Sequence, residues 1–369
     1  MNTSRILITG GAGFIGCHLA SALLSRGYHV RVLDCLLDQV HGGQRPDPVL
    51  QDVDLIVGDV RDPGVVARAV KGIDAVVHLA AEVGVGQSMY AVDRYIATND
   101  LGTAVLLQAL LAHPVQRLAV ASSMSIYGEG LYRDSDGRLI EDVIRQPRRE
   151  TDGWDPTDHK GRPLTPLPTP EGKRPALASV YAISKFVQER LILTVGAAYG
   201  MQTVALRLFN AYGPGQALSN PYTGVLAIFA SALSNGRPPQ VFEDGLQRRD
   251  FIHVEDVARA FVLALETPGA RGAYNIGSGR VVTISQVARE IAAAMGREDL
   301  HPEFLNKARA GDIRHCFGDI TLARKELGYE PRRTFADSLP ELADWVRRQQ
   351  TVHRVDEARR ELEIRGLVA

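Results

Sequence analysis

A tyrosine and a lysine four positions apart, Tyr181 and Lys185, are the residues of this sequence best placed to move a proton. Residues at this spacing lie on one face of a helix, so both side chains can enter the same pocket. A free phenol has a pKa of about 10, and a neighbouring cation favours its ionised form. The pair therefore predicts a phenolate at Tyr181 that acts as a general base toward a hydroxyl group. Many helices contain this spacing by chance, so the prediction needs a cofactor site to support it.

Hydroxyl side chains follow the apolar run 118–121 and begin with Ser122 and Ser123. Such a run predicts a buried strand, and ligands of open α/β proteins bind where the strands end. Ser123 is expected to hydrogen-bond the reacting oxygen and to pass its proton toward Tyr181. Without a cofactor site nearby, these serines would be ordinary residues at a strand end.

A glycine-rich turn near the start of the sequence predicts that cofactor site. Residues 5–16 combine an apolar strand, glycines spaced as in the dinucleotide-binding fingerprint, and the start of a helix. The missing side chains let the backbone approach a pyrophosphate, and the helix N-terminus offers it free N–H groups. The residues predicted to contact the cofactor here are Gly10, Gly13, Phe14, Ile15 and Gly16.

An aspartate at the end of the second predicted strand, Asp34, indicates which dinucleotide binds. It lies 18 residues beyond Gly16, where a carboxylate can bond the adenosine ribose hydroxyls. Cys35 and two leucines follow, with no Arg or Lys to receive a 2′-phosphate, so NAD is favoured over NADP. An oxidised nicotinamide ring would also place a second cation beside Tyr181. Further predicted cofactor contacts follow the third and fourth strands and are Asp59, Val60, Leu79, Ala80 and Ala81.

The elements that must position these residues alternate along the chain. Continuous apolar strands separated by helices of 3.6-residue period predict a parallel sheet covered on both faces, the doubly wound Rossmann α/β architecture. We expect an NAD-binding domain over residues 1–208 with a return segment 249–276, and a smaller C-terminal α/β substrate domain over residues 209–369. The predicted strands are Arg5–Thr9, His29–Leu33, Asp54–Val57, Ala75–Leu79, Arg117–Ser122 and Gln202–Arg207. The predicted helices are Phe14–Ser25, Val65–Val70, Asn99–Ala112 and Val180–Ala198.

The segment 131–175 interrupts this alternation, because it holds seven of the chain's 19 prolines. A continuous helix or strand does not tolerate proline at that density. Long segments of this kind are active-site lids or surface inserts, and the sequence leaves both open.

Composition excludes several classes of partner. The 42 Lys and Arg residues nearly balance the 43 Asp and Glu residues, so there is no basic field to hold a nucleic acid. No apolar run approaches the roughly 20 residues that a membrane-spanning helix needs. Three widely separated cysteines, Cys17, Cys35 and Cys316, suit neither a disulfide framework nor a metal site. These features predict a cytoplasmic protein with no membrane anchor, no nucleic-acid partner and no bound metal.

In this order the motifs resemble the extended short-chain dehydrogenase/reductase family, and within it the nucleotide-sugar epimerases and dehydratases. The resemblance covers roughly residues 6–345 and includes the motifs at 9–16, 78–81, 207–215, 249–254 and 310–314. It implies an NAD-dependent enzyme that acts on a nucleotide sugar, with Asn99 and Phe209 flanking the cofactor. The residues implied to hold the nucleotide and its diphosphate are Asn210, Arg249, Arg309 and Asp312.

The residues that follow Ser122 separate the subclasses of this family. The 4,6-dehydratases have Thr-Asp-Glu at this point, and the acid pair drives loss of water. Ser123, Met124 and Ser125 stand here instead, which favours a 4-epimerase. The segments 207–233 and 241–245 are similar to the branch of dTDP-L-rhamnose 4-epimerases, which implies conversion of dTDP-L-rhamnose to dTDP-6-deoxy-L-talose. A nucleotide-sugar 4-ketoreductase, a 4,6-dehydratase and a non-catalytic nucleotide-binding protein are the alternatives.

The resemblance also implies a homodimer in which the helices at 99–112 and 180–198 pair across a two-fold axis. The apolar faces of these helices suit an intramolecular core equally well. The last residues, Asp356–Leu367, show a weak helical pattern, and the sequence assigns them no function.

Overall fold

A computed structural model describes residues 4–42, 47–143, 145, 153–220, 222–309, 311–349 and 355–368 of the chain. Parts of the segment 131–175, namely 144 and 146–152, and the first residue of the motif 310–314 lie outside the described residues. The strands are β1 (Arg5–Thr9), β2 (His29–Asp34), β3 (Asp54–Val57), β4 (Ala75–His78), β5 (Arg117–Ser123), β6 (Leu131–Arg133), β7 (Leu139–Ile140), β8 (Thr165–Leu167), β9 (Gln202–Leu208), β10 (Asn210–Tyr212), β11 (Gln240–Val241), β12 (Arg248–Arg249), β13 (Phe251–His253), β14 (Gly272–Ile276), β15 (Val282–Thr283), β16 (Glu303–Phe304) and β17 (His315–Cys316). The α-helices are α1 (Phe14–Leu24), α2 (Asp38–His41), α3 (Pro63–Val70), α4 (Val85–Ser88), α5 (Val92–Tyr95), α6 (Gly102–Ala112), α7 (Val180–Ala198), α8 (Val225–Ser234), α9 (Val254–Glu266), α10 (Ile284–Ala294), α11 (Thr321–Leu327), α12 (Phe335–Arg347) and α13 (Val355–Ile364), and a π-helical stretch, Ile96–Leu101, precedes α6.

In the described part of the chain, seven strands form one parallel sheet in the order β14-β9-β5-β4-β1-β2-β3. β1 lies inside this sheet, where Ile6 pairs with Val30 of β2 and with Ala75 of β4. The predicted doubly wound α/β architecture is confirmed, and the six predicted strands end within one residue of their expected positions. The strand order reverses between β1 and β4, which is where ligands bind in this architecture.

Helices cover both faces of the large sheet. On one face α1 and α9 bury Leu19 and Phe261 against β1, and on the other α6 buries Leu106 together with Leu7 and Val76. After β13 the chain returns to this sheet through α9 and β14, whose residues pair with β9. Because both faces are buried, the strands are rich in apolar residues, as the sequence pattern indicates.

A smaller α/β unit follows β9. Its helices α8, α10 and α12 share a core that includes Phe229, Ile291 and Val346. Short strand pairs, β10 with β13, β11 with β16, and β12 with β15 and β17, connect this core to the edge of the large sheet. The unit therefore stands beside the carboxyl ends of the large sheet's strands.

The described residues of the segment 131–175 form a small antiparallel sheet in the order β7-β6-β8. A buried ionic cluster attaches this segment to the smaller unit. The side chain of Arg314, which is 0 % exposed, donates to Glu243 at 2.9 Å, to Asp244 at 2.6 Å and to Asp155 at 2.6 Å. The backbone N–H of Arg314 donates to Glu129 at 2.6 Å. These residues are called the Arg314 cluster below.

Within the described ranges, no helix has both the length and the apolar character that crossing a bilayer requires. The same ranges contain no group of three or more His, Cys, Asp or Glu side chains placed to hold a metal ion.

Candidate active site

A cavity of about 770 Å³ lies at the carboxyl edge of the large sheet, lined by residues that follow the ends of β1, β2, β4 and β5. Every residue predicted to contact cofactor or substrate lines it, with the exception of Asn99. None of the described residues of the segment 131–175 is in its wall. Arg145 of this segment nevertheless reaches the cavity wall from behind, because its Nη1 lies 3.5 Å from the carbonyl oxygen of Asp312. The segment 131–175 is called the insert below.

The glycine turn is closed toward the sheet and open toward the cavity. A Cβ at Gly16 would lie 2.5 Å from the Cα of Gly11, and one at Gly10 would lie 2.7 Å from the backbone N of Ala80. At Gly13 the nearest atom to a Cβ would be the Gly10 carbonyl oxygen at 3.3 Å. Among the described side chains none caps α1, so its first N–H groups are available to a pyrophosphate. The turn fits a dinucleotide.

The carboxylate of Asp34 is fixed at the end of β2. Its Oδ2 accepts the Ala12 N–H at 3.0 Å, and its Oδ1 accepts the Leu36 N–H at 2.9 Å. Each carboxylate oxygen has a further lone pair with which to accept a ribose hydroxyl. The two halves of the predicted fingerprint, the glycine turn and the acid, thus meet in one wall.

Asp59 and Arg61 form an ion pair in the same wall. Arg61 Nε lies 2.9 Å from Asp59 Oδ1, and this bond holds the pKa of the Asp59 carboxyl below its ordinary value. The predicted bond from adenine to Asp59 must therefore compete with Arg61. Because Asp59 neutralises Arg61, this arginine is not an uncompensated cation for a 2′-phosphate, and the site favours NAD.

Tyr181 lies in the first turn of α7, which begins after Ser179, whose hydroxyl accepts the Ala182 N–H. The Tyr181 side chain is half-buried, and its phenol is hydrogen-bonded to Ser123. Burial raises the pKa of Tyr181 above its ordinary value, and the bond to Ser123 lowers it in part. The lowering expected from the sequence also requires the cation of an oxidised nicotinamide ring beside Tyr181, and it stays a prediction. Desolvation outweighs the effect of Lys185, because that cation is directed to another partner.

The partner of Lys185 is Gln188, one turn further along α7. Lys185 Nζ donates to Gln188 Oε1 at 2.6 Å, and Gln188 Nε2 donates to Thr103 Oγ1 at 2.9 Å. The Gln188 amide nitrogen also lies 3.2 Å from Nε2 of His78. Burial lowers the pKa of Lys185 to about 7. Gln188 therefore fixes a lysine that titrates close to neutral pH.

Asn99 is the one predicted contact that lies outside the cavity wall. It is fully buried in the π-helical stretch, which the sequence pattern predicted as ordinary α-helix. Its Oδ1 accepts the Glu82 N–H at 2.7 Å, and its Nδ2 donates to Ser184 Oγ at 2.8 Å. Since Ser184 precedes Lys185, Asn99 connects the loop after β4 to α7. It positions α7 and does not itself line the cavity, and the cofactor contact that the resemblance implies for it stays a prediction.

Arginines and an aromatic ring form the far end of the cavity. The Arg309 guanidinium lies 4.5 Å from the centre of the Phe242 ring, and Arg309 Nη2 lies 3.0 Å from Asp312 Oδ2. Arg249 lies 3.7 Å from Asp312 Oδ1 and donates to the Arg314 carbonyl. Burial alone would raise the pKa of Asp312, but Arg309 and Arg249 hold it below its ordinary value. Guanidinium groups and a flat ring suit a diphosphate and a base.

Phe209 and Asn210 line the cavity between its two ends. Phe209 is buried against Gly318, where a Cβ would lie 2.8 Å from its ring. Asn210 Nδ2 donates to the Asp250 carbonyl at 2.8 Å, and the side-chain amide oxygen of Asn210 can accept a hydrogen bond from a ligand. Both residues directly follow the end of β9, where the chain leaves the large sheet.

Sequence reasoning missed several residues of this site. Gln188 gave no signal because its role depends on the rotamer of Lys185. Arg61 directly follows Val60, a predicted cofactor contact, so its place in the cavity wall could have been inferred from the sequence. Three residues at the C-terminus, Arg359, Leu362 and Leu367, line the cavity although the sequence assigned their segment no function.

A Rossmann sheet whose dinucleotide turn shares one cavity with Ser123, Tyr181 and Lys185 defines an NAD-dependent enzyme. Comparison with known proteins supports the same class of enzyme. The model of the NAD dependent epimerase/dehydratase family matches residues 6–152 and 156–277. The chain belongs to this family, and its cofactor is NAD, as the sequence predicted.

The similar proteins include enzymes of two reaction types. A dTDP-L-rhamnose 4-epimerase of Burkholderia thailandensis is 35% identical over 93% of this chain and 94% of its own length. A dTDP-glucose 4,6-dehydratase of Actinoplanes sp. is 30% identical over 93% of this chain and 98% of its own. The crystal structure of Thermus thermophilus UDP-glucose 4-epimerase in complex with NAD is 31% identical, with a TM-score of 0.72 over 94% of this chain and 100% of that one.

Proposed function

We propose that this enzyme inverts C4 of a nucleotide-activated deoxyhexose, and that its substrate is dTDP-L-rhamnose, which becomes dTDP-6-deoxy-L-talose. The observation that carries the reaction type is the meeting of Ser123, Tyr181 and the glycine turn in one cavity, with Met124 and Ser125 in the same wall. The similarity to the Burkholderia thailandensis enzyme supports the choice of sugar.

The chain's own residues supply the proton chemistry. Bound NAD supplies the hydride acceptor and, once reduced, the hydride donor. Tyr181, with Ser123 bonded to its phenol, takes the proton of the C4 hydroxyl and returns it when the carbonyl is reduced. The Lys185 ammonium favours the phenolate that this requires. The cavity of about 770 Å³ gives the 4-keto sugar room to present its other face.

Elimination of water lacks the groups that it needs. A 4,6-dehydratase needs an acid and a base beside C5 and C6, and the corresponding wall positions here are Met124 and Ser125. A thioether carries no proton, and the Ser125 hydroxyl is bonded to Ser123 Oγ at 2.8 Å. The wall therefore favours epimerisation over dehydration.

The test is incubation of the purified enzyme with dTDP-L-rhamnose and with other dTDP- and UDP-sugars, with no cofactor added. We expect NMR to show the C4 epimer of dTDP-L-rhamnose while the absorbance at 340 nm stays constant, because NAD is regenerated in each cycle. A 340 nm change that tracks product would support a 4-ketoreductase instead. A 4-keto-6-deoxy product would support a dehydratase.

We further propose that the enzyme is a homodimer that pairs through the π-helical stretch and α7. Ile96, Leu101 and Ile183 expose large apolar side chains on these adjacent helices. Neighbouring exposed apolar side chains of this kind mark association surfaces. The cytoplasmic location that the sequence predicts stays a prediction.

A further inference from the structure

The C-terminal segment, residues 355–368, spans the mouth of the cavity. On the cofactor side Leu362 packs on Gly86, where a Cβ would lie 3.3 Å from Leu362 Cδ1. The Arg365 guanidinium lies 4.5 Å from the centre of the Tyr90 ring on the same side. Gly86 lies in α4 and Tyr90 follows it; both come after β4, the strand whose end contributes Leu79, Ala80 and Ala81 to the cofactor wall.

The same segment is attached to the smaller unit on the opposite side. Arg359 Nη1 donates to Gln240 Oε1 at 2.7 Å, in the strand that leads to Phe242. Val368 forms a β-bridge with Arg309, the arginine that stacks on Phe242. The segment thus bridges the two sides of the cleft.

Its side chains are part of the cavity wall. Arg359, Leu362 and Leu367 line the same cavity as Tyr181 and the glycine turn. Leu362 is only 7 % exposed, although most of the neighbouring described residues of α13 are polar. An apolar side chain buried at a cleft, beside a charged one, is the composition of a ligand site.

The position of these residues indicates which ligand they meet. The glycine turn and Asp34 hold the cofactor at one end of the cavity. The reacting sugar lies beside Tyr181. The other end holds Arg249, Arg309 and Phe242, to which Arg359 adds a further guanidinium group. A nucleoside diphosphate matches this end, since it combines a flat base with oxygens that accept charge-assisted hydrogen bonds.

We propose that the C-terminal segment is part of the nucleotide-sugar site and that Arg359 and Leu362 contact the nucleoside diphosphate portion of the substrate. This rests on the proposed function, because it takes a nucleotide sugar as the ligand of the cavity. The segment then closes the nucleotide end of the cleft and holds the sugar beside Tyr181.

The test is calorimetric titration of full-length variants with dTDP. Arg359→Gln is expected to weaken dTDP binding by about tenfold, the loss of roughly one charge-assisted hydrogen bond. Leu362→Ala is expected to weaken it as well. Arg360→Gln is the matched control, because Arg360 is the next residue of α13 and points to solvent. All three should retain NAD, and Arg359→Gln and Arg360→Gln should also keep the thermal unfolding midpoint of the wild type, whereas Leu362→Ala lowers it because a buried side chain is truncated.

Hydrogen exchange of peptides from 355–368 provides a second measurement that needs no variant. We expect dTDP to slow exchange in this segment of the wild-type enzyme. If the wild type binds dTDP while Arg359→Gln binds as tightly as Arg360→Gln, or exchange is unchanged, the inference is wrong and the proposed function stands. If the wild type binds no nucleoside diphosphate, the proposed function fails with it.

Discussion

At the scale of single residues, the reaction depends on the phenol of Tyr181. Tyr181→Phe removes the proton acceptor and keeps the ring, so we expect turnover to fall on the order of 10²- to 10⁴-fold while NAD stays bound. Tyr95→Phe is a matched control. Its ring centre lies 6.4 Å from that of Tyr181, and its hydroxyl is bonded to the Val83 carbonyl, away from Ser123. Equal losses of turnover in the two variants would contradict the role given to Tyr181.

Gln188 should control the pH range in which Lys185 supports that phenol. The ammonium form of Lys185 is the active one, so activity falls as pH rises through its pKa, which burial lowers to about 7. Gln188→Glu adds a negative partner and raises this pKa, whereas Gln188→Leu removes the acceptor and lowers it. We expect the alkaline limb of the kcat/KM profile to move in opposite directions, by about one pH unit each way. A purely structural role for Gln188 would lower activity in both variants without opposite shifts.

Local spacing explains which of these residues were predictable. Tyr181 and Lys185 are one helical turn apart and Ser123 ends a strand, so sequence alone relates each to the edge of the sheet. The burial that raises the pKa of Tyr181 is a tertiary property, so no local pattern of the sequence indicates it. The bond between Lys185 and Gln188 depends on side-chain rotamers, which no sequence period specifies.

At the scale of elements, the insert and the smaller unit depend on the Arg314 cluster. Arg314→Met leaves Asp244 without its cation, and it leaves Glu243, which is 1 % exposed, with Arg145 as its remaining cation. We expect the free energy of unfolding to fall by about 3–5 kcal/mol, the usual cost of breaking a buried ion pair on one side. Denaturant unfolding followed by circular dichroism measures this change.

Two comparisons test the cause of that loss. Arg174→Met, in an insert arginine whose side chain is 71 % exposed, should leave the unfolding midpoint unchanged. Adding Asp244→Asn to Arg314→Met should recover part of the loss, because the carboxylate that has lost its cation is then neutral. An Arg314→Met protein as stable as the wild type would show that the cluster does not hold the insert.

The elements themselves were largely predictable, and their distant contacts were not. Apolar runs and helical periods specified the large sheet, since both faces are buried and each strand is recognisable locally. The insert was recognised by its prolines, but its short strands and its attachment through Arg314 join segments far apart in the sequence. The contact of Leu362 with Gly86 likewise joins residues far apart in the sequence and has no local signal.

At the scale of the whole molecule, the cavity and the proposed dimer surface are separate features. The cavity wall is built from residues of one chain, whereas Leu101, which is 53 % exposed, faces away from it. Leu101→Glu should therefore give a monomer by light scattering that retains NAD and epimerase turnover. Val281→Glu, at an apolar residue 44 % exposed elsewhere on the surface, should remain a dimer. A wild-type monomer would disprove the proposed pairing, and an inactive Leu101→Glu monomer that still binds NAD would show that the two features are coupled.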